Sequence, residues 1–369
     1  MNDSISAFFE LVRAGLWEEE VRLEQYGRSL DYNEILRLSE EQSVVGLVAA
    51  GIEHVFDVKI PQKVVLQFVG QTLQLEQRNS AMNTFIGDLV EKMREKGIYV
   101  LLVKGQGIAQ CYERPLWRAS GDIDFLLSEV NYTNAKELLL PLASFFDTER
   151  GTHLGMSLSR WYVELHGDLY CGLSSKMDRF LNVVQNDVFC MGSVRLWQNG
   201  NTQVFLPGVN NDVIFIFTHF LKHFYKGGLG LRQICDWCRL LWTYRKEINR
   251  EQLKKWVKDM GLFSEWKAFA AFAVEYLGMP QEAIPFYSNG SKWRRKANRI
   301  CDFVLKVGNM GVNRDLTSYD NKPYLIRKTI TMGMRLSDLV SHARIFPLDS
   351  MRFFPKMMFN GVRSAMKGY

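Results

Sequence analysis

The sequence predicts an α+β protein in which a small mixed β-sheet lies between two helical regions. Near the middle of the chain, Tyr99–Val103 is an unbroken apolar run of strand length, and Gly121–Leu127 is a second strand-like run. On both sides of this part, apolar residues recur at the spacing of amphipathic helices. We therefore expect three units: an N-terminal helical region at 1–95, a strand-containing core at 96–210 and a C-terminal helical region at 211–369.

The composition is that of an ordinary globular protein. Of the 369 residues, 47% are hydrophobic and 23% are charged. The net charge of +6 is modest for this length. It is compatible with an anionic ligand such as a nucleotide, but it does not by itself indicate binding to nucleic acid.

The cysteines and the first residues indicate the expected compartment. Six cysteines are too sparse for a disulfide framework, and Cys235 and Cys238 lie in a stretch with helical spacing, so they are predicted to be core thiols rather than half of a zinc site. The acidic N-terminus does not resemble a secretion signal, and no apolar run approaches the ~20 residues of a membrane span. The expected location is the cytoplasm, with no transmembrane segment.

The N-terminal unit is predicted to be helical throughout, with its longest helix directly before the first strand. Pro61 is suited to the start of that helix and Gly97 to its end. The expected helices are Ser4–Glu20, Tyr32–Glu40, Gln42–Val55 and Gln62–Lys96.

Two aspartates stand at the start of the second strand. Because side chains alternate along a strand, Asp122 and Asp124 project from one face, and Ile123 and Phe125 project from the other. Adjacent carboxylates repel each other and are costly to desolvate. A divalent cation between them would remove that cost, and Mg²⁺ typically binds one or two carboxylates together with substrate phosphates. The pair therefore indicates a metal site, with a solvated acidic turn as the alternative.

A further strand with a polar face is predicted at Trp161–Leu169. The alternation separates Val163 and Leu165 from a polar set on the opposite face, which consists of Tyr162, Glu164, His166 and Asp168. Burying two acids and a histidine is costly unless a charge lies opposite them. We expect His166 to form a structural hydrogen bond with a neighbouring acid, and a contact to nucleotide or acceptor is the alternative.

The residues LLVKG…R…GDIDFLL, at 101–127, resemble the nucleotidyltransferases of the DNA polymerase β superfamily. More narrowly, they are similar to a poorly characterised bacterial nucleotidyltransferase family with the signature LKG…R…GDIDLLV. The resemblance implies a mixed sheet of the polymerase β type and Asp122 and Asp124 as metal ligands. It also implies a third carboxylate on a neighbouring strand, which we match to Glu164, with Asp168 as the second choice.

The break after the first strand is the other part of this resemblance. The superfamily's usual Gly-Ser pair appears here as Gly105-Gln106, preceded by Lys104, and toxin-type nucleotidyltransferases of abortive-infection systems share this Lys-Gly variant. Backbone N–H groups between a strand and a helix favour anions. We therefore predict Lys104, Gly105, Gln106 and Arg118 as cofactor-binding residues. The phosphate-binding role of the serine in the superfamily's Gly-Ser pair is not assigned to any of these residues. Arg118 contacts a phosphate or anchors its loop by pairing with an acid.

Together these features predict transfer of a nucleoside monophosphate from an NTP to a hydroxyl group, with release of pyrophosphate. The predicted catalytic and metal-binding residues are Asp122, Asp124 and Glu164, and the predicted cofactor is Mg²⁺ or Mn²⁺. The acceptor is left open among a small molecule, a glycan, RNA and a protein. Two other functions are considered: a toxin-like nucleotidyltransferase acting on tRNA or protein, and a non-catalytic nucleotide-binding or scaffold protein.

After a helix at Asn131–Phe145 and a hairpin at Arg195–Leu206 that turns at Asn199-Gly200, the chain is predicted to become helical again. His219 and His223 are expected to be core or cleft-wall residues rather than a metal pair. The expected helices are Ile214–Tyr225, Leu231–Tyr244, Arg250–Met260 and Ser264–Leu277.

The final segment, 291–369, contains 16 Lys and Arg residues, five Asp and no Glu. A charged helical surface is the ordinary interpretation of this composition. Weak contact with a membrane surface or with nucleic acid are the two alternatives, since Phe and Met alternate with the basic residues in its last part.

Overall fold

The computed structural model describes residues 2–27, 30–313 and 324–366. Its strands form one seven-stranded mixed sheet in the order β3-β4-β5-β2-β1-β7-β6. The predicted α+β architecture with a mixed sheet between helices is therefore confirmed. The strands are β1 (Leu101–Val103), β2 (Ile123–Leu126), β3 (Phe145–Phe146), β4 (His153–Leu158), β5 (Trp161–His166), β6 (Val194–Asn199) and β7 (Thr202–Pro207).

Helices precede the sheet, connect some of its strands and follow it. The N-terminal helices are α1 (Asp3–Trp17), α2 (Tyr32–Glu41), α3 (Val45–Glu53) and α4 (Gln62–Arg94). Between the strands, in chain order, are α5 (Gly105–Ala109), α6 (Glu129–Leu139) and α7 (Ser175–Met191). The C-terminal helices are α8 (Val209–Lys226), α9 (Leu231–Thr243), α10 (Arg250–Met260), α11 (Phe263–Leu277), α12 (Ser291–Val307), α13 (Tyr324–Ile345) and α14 (Pro347–Met366).

The register of the central strands places polar residues from distant segments of the chain next to each other on adjacent strands. Strand β2 is antiparallel to β1 and parallel to β5. In these ladders Asp124 lies opposite Val103 on one side and Glu164 on the other. Since neighbouring strands are ~4.8 Å apart, directly opposed side chains on one face are close neighbours. The sheet therefore places the end of β1, the start of β2 and the middle of β5 side by side.

The sheet has a hydrophobic core on each face. Leu102, Ile123 and Phe125 belong to one core, which is completed by the C-terminal half of α4 and by residues of β4 and β5. Leu101, Val103 and Leu126 belong to the other core, which continues into the N-terminal and C-terminal helices. The central strands are thus buried on both faces, as their apolar character indicates.

The N-terminal and C-terminal helices pack directly against each other. Arg13 on α1 donates through Nε to the carbonyl of Tyr276, at 2.9 Å, and Trp17 donates to the carbonyl of Leu277, at 2.6 Å. Both carbonyls lie in the last turn of α11, where four carbonyls have no partner within the helix. The two helical regions therefore share one core on the same side of the sheet.

Several details differ from the predictions for physical reasons. The predicted helix at Asn131–Phe145 ends at Leu139, because Pro141 cannot continue the α-helical hydrogen bonding, and Phe145 then enters β3. A short helix that was not among the predicted helices begins at Gly105, directly after a sharp turn at Lys104. The hairpin at Asn199-Gly200 is confirmed.

The cysteines and helices bear on two further predictions. All six cysteines are free thiols, and Cys235 and Cys238 are buried in the core, as predicted. Among the described helices, none is both long and apolar enough to cross a membrane. Of the basic C-terminal segment, residues 314–323 and 367–369 lie outside the described part of the chain.

Helices α1 and α3 approach so closely that only glycine fits between them. A methyl group at Gly51 would lie 2.0 Å from the carbonyl oxygen of Leu11, and one at Gly15 would lie 1.9 Å from that of Leu47. Both neighbours are backbone atoms, which cannot rotate away as the end of a side chain can. The helix pair must therefore separate if either glycine gains a side chain.

We expect Gly51→Ala to lower the free energy of unfolding by about 2 kcal/mol or more, because overpacking forces backbone shifts. The matched control is Gly70→Ala on α4, where a methyl group would meet no atom within 4 Å. That change should be neutral or stabilising by up to about 1 kcal/mol, since alanine favours a helix. Urea unfolding of both variants provides the measurement, and equal effects would contradict the close-packing argument.

Candidate functional site

The three predicted acidic residues meet at the centre of the sheet. Asp122 directly precedes β2, Asp124 lies on β2 and Glu164 lies opposite it on β5. One carboxylate oxygen from each residue lies within 4.8 Å of the other two. Asp124 is buried, Glu164 is partly buried and Asp122 is exposed. The cluster therefore extends from the core of the sheet to solvent.

Two basic groups compensate the buried carboxylate. The Nζ atom of Lys104 lies 2.7 Å from Oδ1 of Asp124, and Nε2 of His166 lies 2.7 Å from the same oxygen. Burial alone would raise the pKa of Asp124, but the charge of Lys104 and the hydrogen bond from His166 hold it below its usual value. Asp124 is therefore ionised, and Lys104 and His166 both contact its carboxylate.

Asp122 is left in the opposite situation. The negative charge of Asp124 raises the pKa of Asp122, and Lys104 offsets this only in part. Two adjacent carboxylates that repel each other, with a third carboxylate beside them, form a site that a divalent cation would stabilise. The hard oxygen donors of Asp122, Asp124 and Glu164 therefore fit Mg²⁺ or Mn²⁺.

Two histidines hold the third carboxylate. Nε2 of His153, on β4, lies 3.2 Å from Oε2 of Glu164, and Nε2 of His166 lies 3.3 Å from it. Although burial acts in the other direction, these hydrogen bonds lower the pKa of Glu164. The hydrogen bonds of His166 to the two acids likewise raise its pKa, against the effect of burial. The predicted hydrogen bond of His166 to a neighbouring acid is confirmed, whereas His153 was not identified from the sequence.

Lys104 occupies an unusual backbone conformation at the end of β1. Its φ of 60° and ψ of −149° belong to a region that is costly for any residue other than glycine, and Gly105 follows with a φ of 44°. This turn aims the Lys104 side chain at Asp124 and starts α5 immediately after the strand. Both residues line the cleft beside the acidic cluster, together with Gly121, Asp122 and Asp124.

The Gln106 side chain lies away from that cleft. It is buried and donates from Nε2 to Oδ1 of Asn79, at 2.9 Å, and to Oγ of Ser120, at 3.1 Å. Asn79 lies on α4 and donates in turn to the carbonyls of Leu116 and Arg118. The Gln106 side chain therefore supports the 113–122 loop from behind, and a nucleotide contact by this side chain is not supported.

Arg118 is paired with an acid from a distant helix. Its Nε and Nη2 atoms each lie 2.7 Å from one oxygen of Asp236 on α9, and the hydroxyl of Tyr112 donates to the same carboxylate at 2.8 Å. Despite burial, Asp236 raises the pKa of Arg118, which stays charged. Of the two interpretations of this residue, the structure shows the pairing with an acid. Because Arg118 also lines the cleft, a phosphate contact stays a prediction.

The part of the cleft wall that α8 and α9 form carries a cation that the sequence analysis did not identify. Arg232, at the start of α9, donates to the carbonyl of Ala119 at 2.8 Å, and its Nε atom is buried with no partner among the described residues. Burial and the charge of the neighbouring Arg118 lower its pKa. In the sequence it stands two residues after the glycine-rich stretch at 227–230, which does not distinguish it from a surface arginine. Arg232 is thus a cation with an unused donor beside the acidic cluster.

His219 lies on the same wall, on α8. Its Nε2 atom lies 3.1 Å from Nε2 of His223, one helical turn away. Burial lowers the pKa of both residues well below the usual value, to about 3 for His223, so both imidazoles are neutral. The prediction of core or cleft-wall histidines is confirmed.

The comparison with known families covers all of these residues. The model of an uncharacterised nucleotidyltransferase family matches residues 28–278, about two thirds of the 369 residues. The chain belongs to this family. The nucleotidyltransferase family spans the sheet, the acidic cluster and both walls of the cleft, and it supports a transferase activity that uses an NTP. No curated protein and no solved structure matches the chain.

Proposed function

We propose that this chain transfers a nucleoside monophosphate from an NTP to a hydroxyl group of an acceptor, on a sheet of the polymerase β type. The observation that carries the proposal is the convergence of Asp122, Asp124 and Glu164 from two adjacent parallel strands. Membership of the nucleotidyltransferase family gives this cluster its chemical context. The acceptor is one of the classes left open by the sequence: a small molecule, a glycan, RNA or a protein.

The acidic cluster is the proposed metal site. Asp122, Asp124 and Glu164 would hold Mg²⁺ or Mn²⁺, which when bound would supply positive charge to the triphosphate and to the departing pyrophosphate. Asp124 is already ionised and fixed by Lys104 and His166. Asp122, at the exposed end, is the ligand through which the site opens to solvent.

The cations of the cleft would hold the triphosphate. Lys104 and Arg232 both line the cleft beside Asp122. The free Nε of Arg232 is a donor that a phosphate oxygen would satisfy. Gly105, which has no side chain to block the approach, lines the same cleft.

Glu164 would orient the acceptor hydroxyl rather than remove the proton of that hydroxyl as a general base. Its hydrogen bonds from His153 and His166 hold the carboxylate in the ionised form. An acid with a strongly lowered pKa is a weak general base, because catalytic efficiency follows basicity. Glu164 can nevertheless accept a hydrogen bond from the hydroxyl and fix its direction, and positioning accounts for much of the catalysis of phosphoryl transfer.

The proposal is tested by calorimetric titration of each NTP, and of the matching NMP, into the protein with and without Mg²⁺. At least one NTP should bind in a Mg²⁺-dependent manner, and more tightly than its NMP. Arg232→Gln should weaken that binding by about tenfold or more, because a charge-assisted hydrogen bond to phosphate is lost.

Lys254→Gln, on the exposed face of α10, is the matched control and should bind like the wild type. Circular dichroism establishes that each variant is folded. Failure of the folded wild-type protein to bind any NTP would overturn the proposal and favour the non-catalytic scaffold.

A further inference from the structure

A second cavity lies in the C-terminal helices, and all of its lining residues except Ser264 lie outside the family match. It has a volume of about 340 Å³ and is formed where the N-terminal half of α12 meets the junction of α13 and α14. Its walls carry the following cations: Lys292, Arg295, Lys296, Arg299 and Arg344. No residue of this cavity lines the cleft with the acidic cluster.

The positive charge of this cavity is poorly compensated. Asp349 is the one carboxylate among the described residues that line it. Lys296, which is partly buried, directs Nζ to the hydroxyl of Ser264, at 3.1 Å, and lies 4.3 Å from the centre of the Phe346 ring. Burial lowers the pKa of Lys296, and the nearby carboxyl groups of Glu265 and Asp349 act in the opposite direction. Cations held together with so little negative charge favour an anion between them.

Exposed apolar side chains adjoin these cations. Leu348, on the rim of the cavity, is 79% exposed, and Met351, one turn further along α14, is 75% exposed. Their neighbours Phe346 and Phe353 are fully buried and attach the same helix to the core. Helix α14 therefore presents two large apolar side chains to solvent next to a cluster of positive charge.

We propose that this face docks on an anionic phospholipid membrane, with a lipid phosphate group in the cavity and with Leu348 and Met351 inserted at the boundary of the acyl chains. Apolar side chains flanked by Lys and Arg are the features with which helices bind membrane surfaces. Single-stranded nucleic acid would instead use exposed aromatic rings on which bases stack, whereas the exposed large apolar side chains of this face, Leu348 and Met351, are aliphatic or a thioether. A free phosphate would leave these two side chains without a role.

The proposal is tested by flotation of the full chain with vesicles of phosphatidylcholine alone or mixed with phosphatidylserine. The triple variant Lys292→Glu, Arg295→Glu, Arg299→Glu changes exposed residues of the cavity wall. The matched control reverses the charge of three exposed lysines on α10, by Lys254→Glu, Lys255→Glu and Lys258→Glu. It changes the net charge of the protein by the same amount as the cavity variant.

The wild type should float with the mixed vesicles and not with the neutral ones. The cavity variant should lower the partition coefficient by at least about tenfold, because each basic residue near the surface contributes to the attraction, and the control variant by less than about threefold. The double variant Leu348→Ser, Met351→Ser should also lower it, with a weaker dependence on salt. Melting temperatures verify that all variants are folded.

Three results would overturn the proposal. The first is equal loss of vesicle binding in the cavity and control variants, which would indicate an effect of net charge alone. The second is unchanged binding in the double variant, which would exclude insertion. The third is binding of glycerophosphate or of an RNA homopolymer that depends on the cavity residues, without binding to vesicles, which would assign the cavity to a soluble phosphate or to nucleic acid.

Discussion

Asp122→Asn should abolish nucleotidyl transfer while leaving the protein at least as stable as the wild type. The side chain keeps its shape and loses its charge, so the repulsion that raises the pKa of Asp122 disappears. The same change removes one of the three proposed metal ligands. Because the charge that a bound metal provides is worth several kcal/mol, we expect the rate of pyrophosphate release to fall at least about a hundredfold. The melting temperature should be unchanged or higher.

The matched control for this prediction is Asp168→Asn. Asp168 follows β5, was the second choice for the third ligand, and lies outside the acidic cluster. Its replacement should leave Mg²⁺-dependent NTP binding and turnover close to the wild-type values. Full activity of Asp122→Asn would refute the assignment of the metal site, and a large loss in Asp168→Asn would move the third ligand from Glu164 to Asp168.

Asp236→Leu should destabilise the protein by about 3–5 kcal/mol, because it leaves the buried guanidinium of Arg118 without its partner. Both oxygens of Asp236 are used by Arg118, and one of them also accepts a hydrogen bond from Tyr112. The loop that leads to the acidic cluster would lose one of its attachments to α9, while the hydrogen bond from Arg232 to the carbonyl of Ala119 would stay. Urea unfolding measures the stability, and NTP titration measures the effect on the site.

A double-mutant cycle separates this pair from ordinary packing effects. Arg118→Met combined with Asp236→Leu should be more stable than Asp236→Leu alone, since no unpaired charge is left in the core. Tyr112→Phe, which removes a single hydrogen bond to the same carboxylate, should cost only about 1 kcal/mol. Additive effects of the two substitutions at Arg118 and Asp236 would show that the ion pair does not anchor the loop.

The sequence predicts the acidic cluster because its signals are local. A strand-length apolar run, two aspartates on one strand face and a second alternating strand can each be identified within about ten residues. The burial of β5 alternates as its pattern predicts, with Val163 and Leu165 inside and Glu164 facing the site. The mixed sheet and the meeting of Asp122, Asp124 and Glu164 follow from these signals together with the family resemblance.

The partners of the residues that support the cluster could not be predicted, because they are remote in sequence. Arg118 and Asp236 are 118 residues apart, and Asp236 lies in a helix whose other positions look like an ordinary core. Arg232 carries no local pattern that distinguishes it from a surface arginine. Gln106 shows the converse, since its position suggested a phosphate contact, whereas its partner Asn79 lies on α4.

The position of Asp124 in the sheet also determines how the site responds to thermal fluctuations. Asp124 lies on the middle one of seven strands, and the edges are a two-residue strand at β3 and the outer half of a hairpin at β6. Edge strands open more easily than central ones, so their amide hydrogens exchange first. The amides of β2 exchange only when β1 or β5 separates from it, which opens both hydrophobic cores. The arrangement of the carboxylates therefore persists while the rim of the sheet fluctuates, and it is lost together with the fold as a whole.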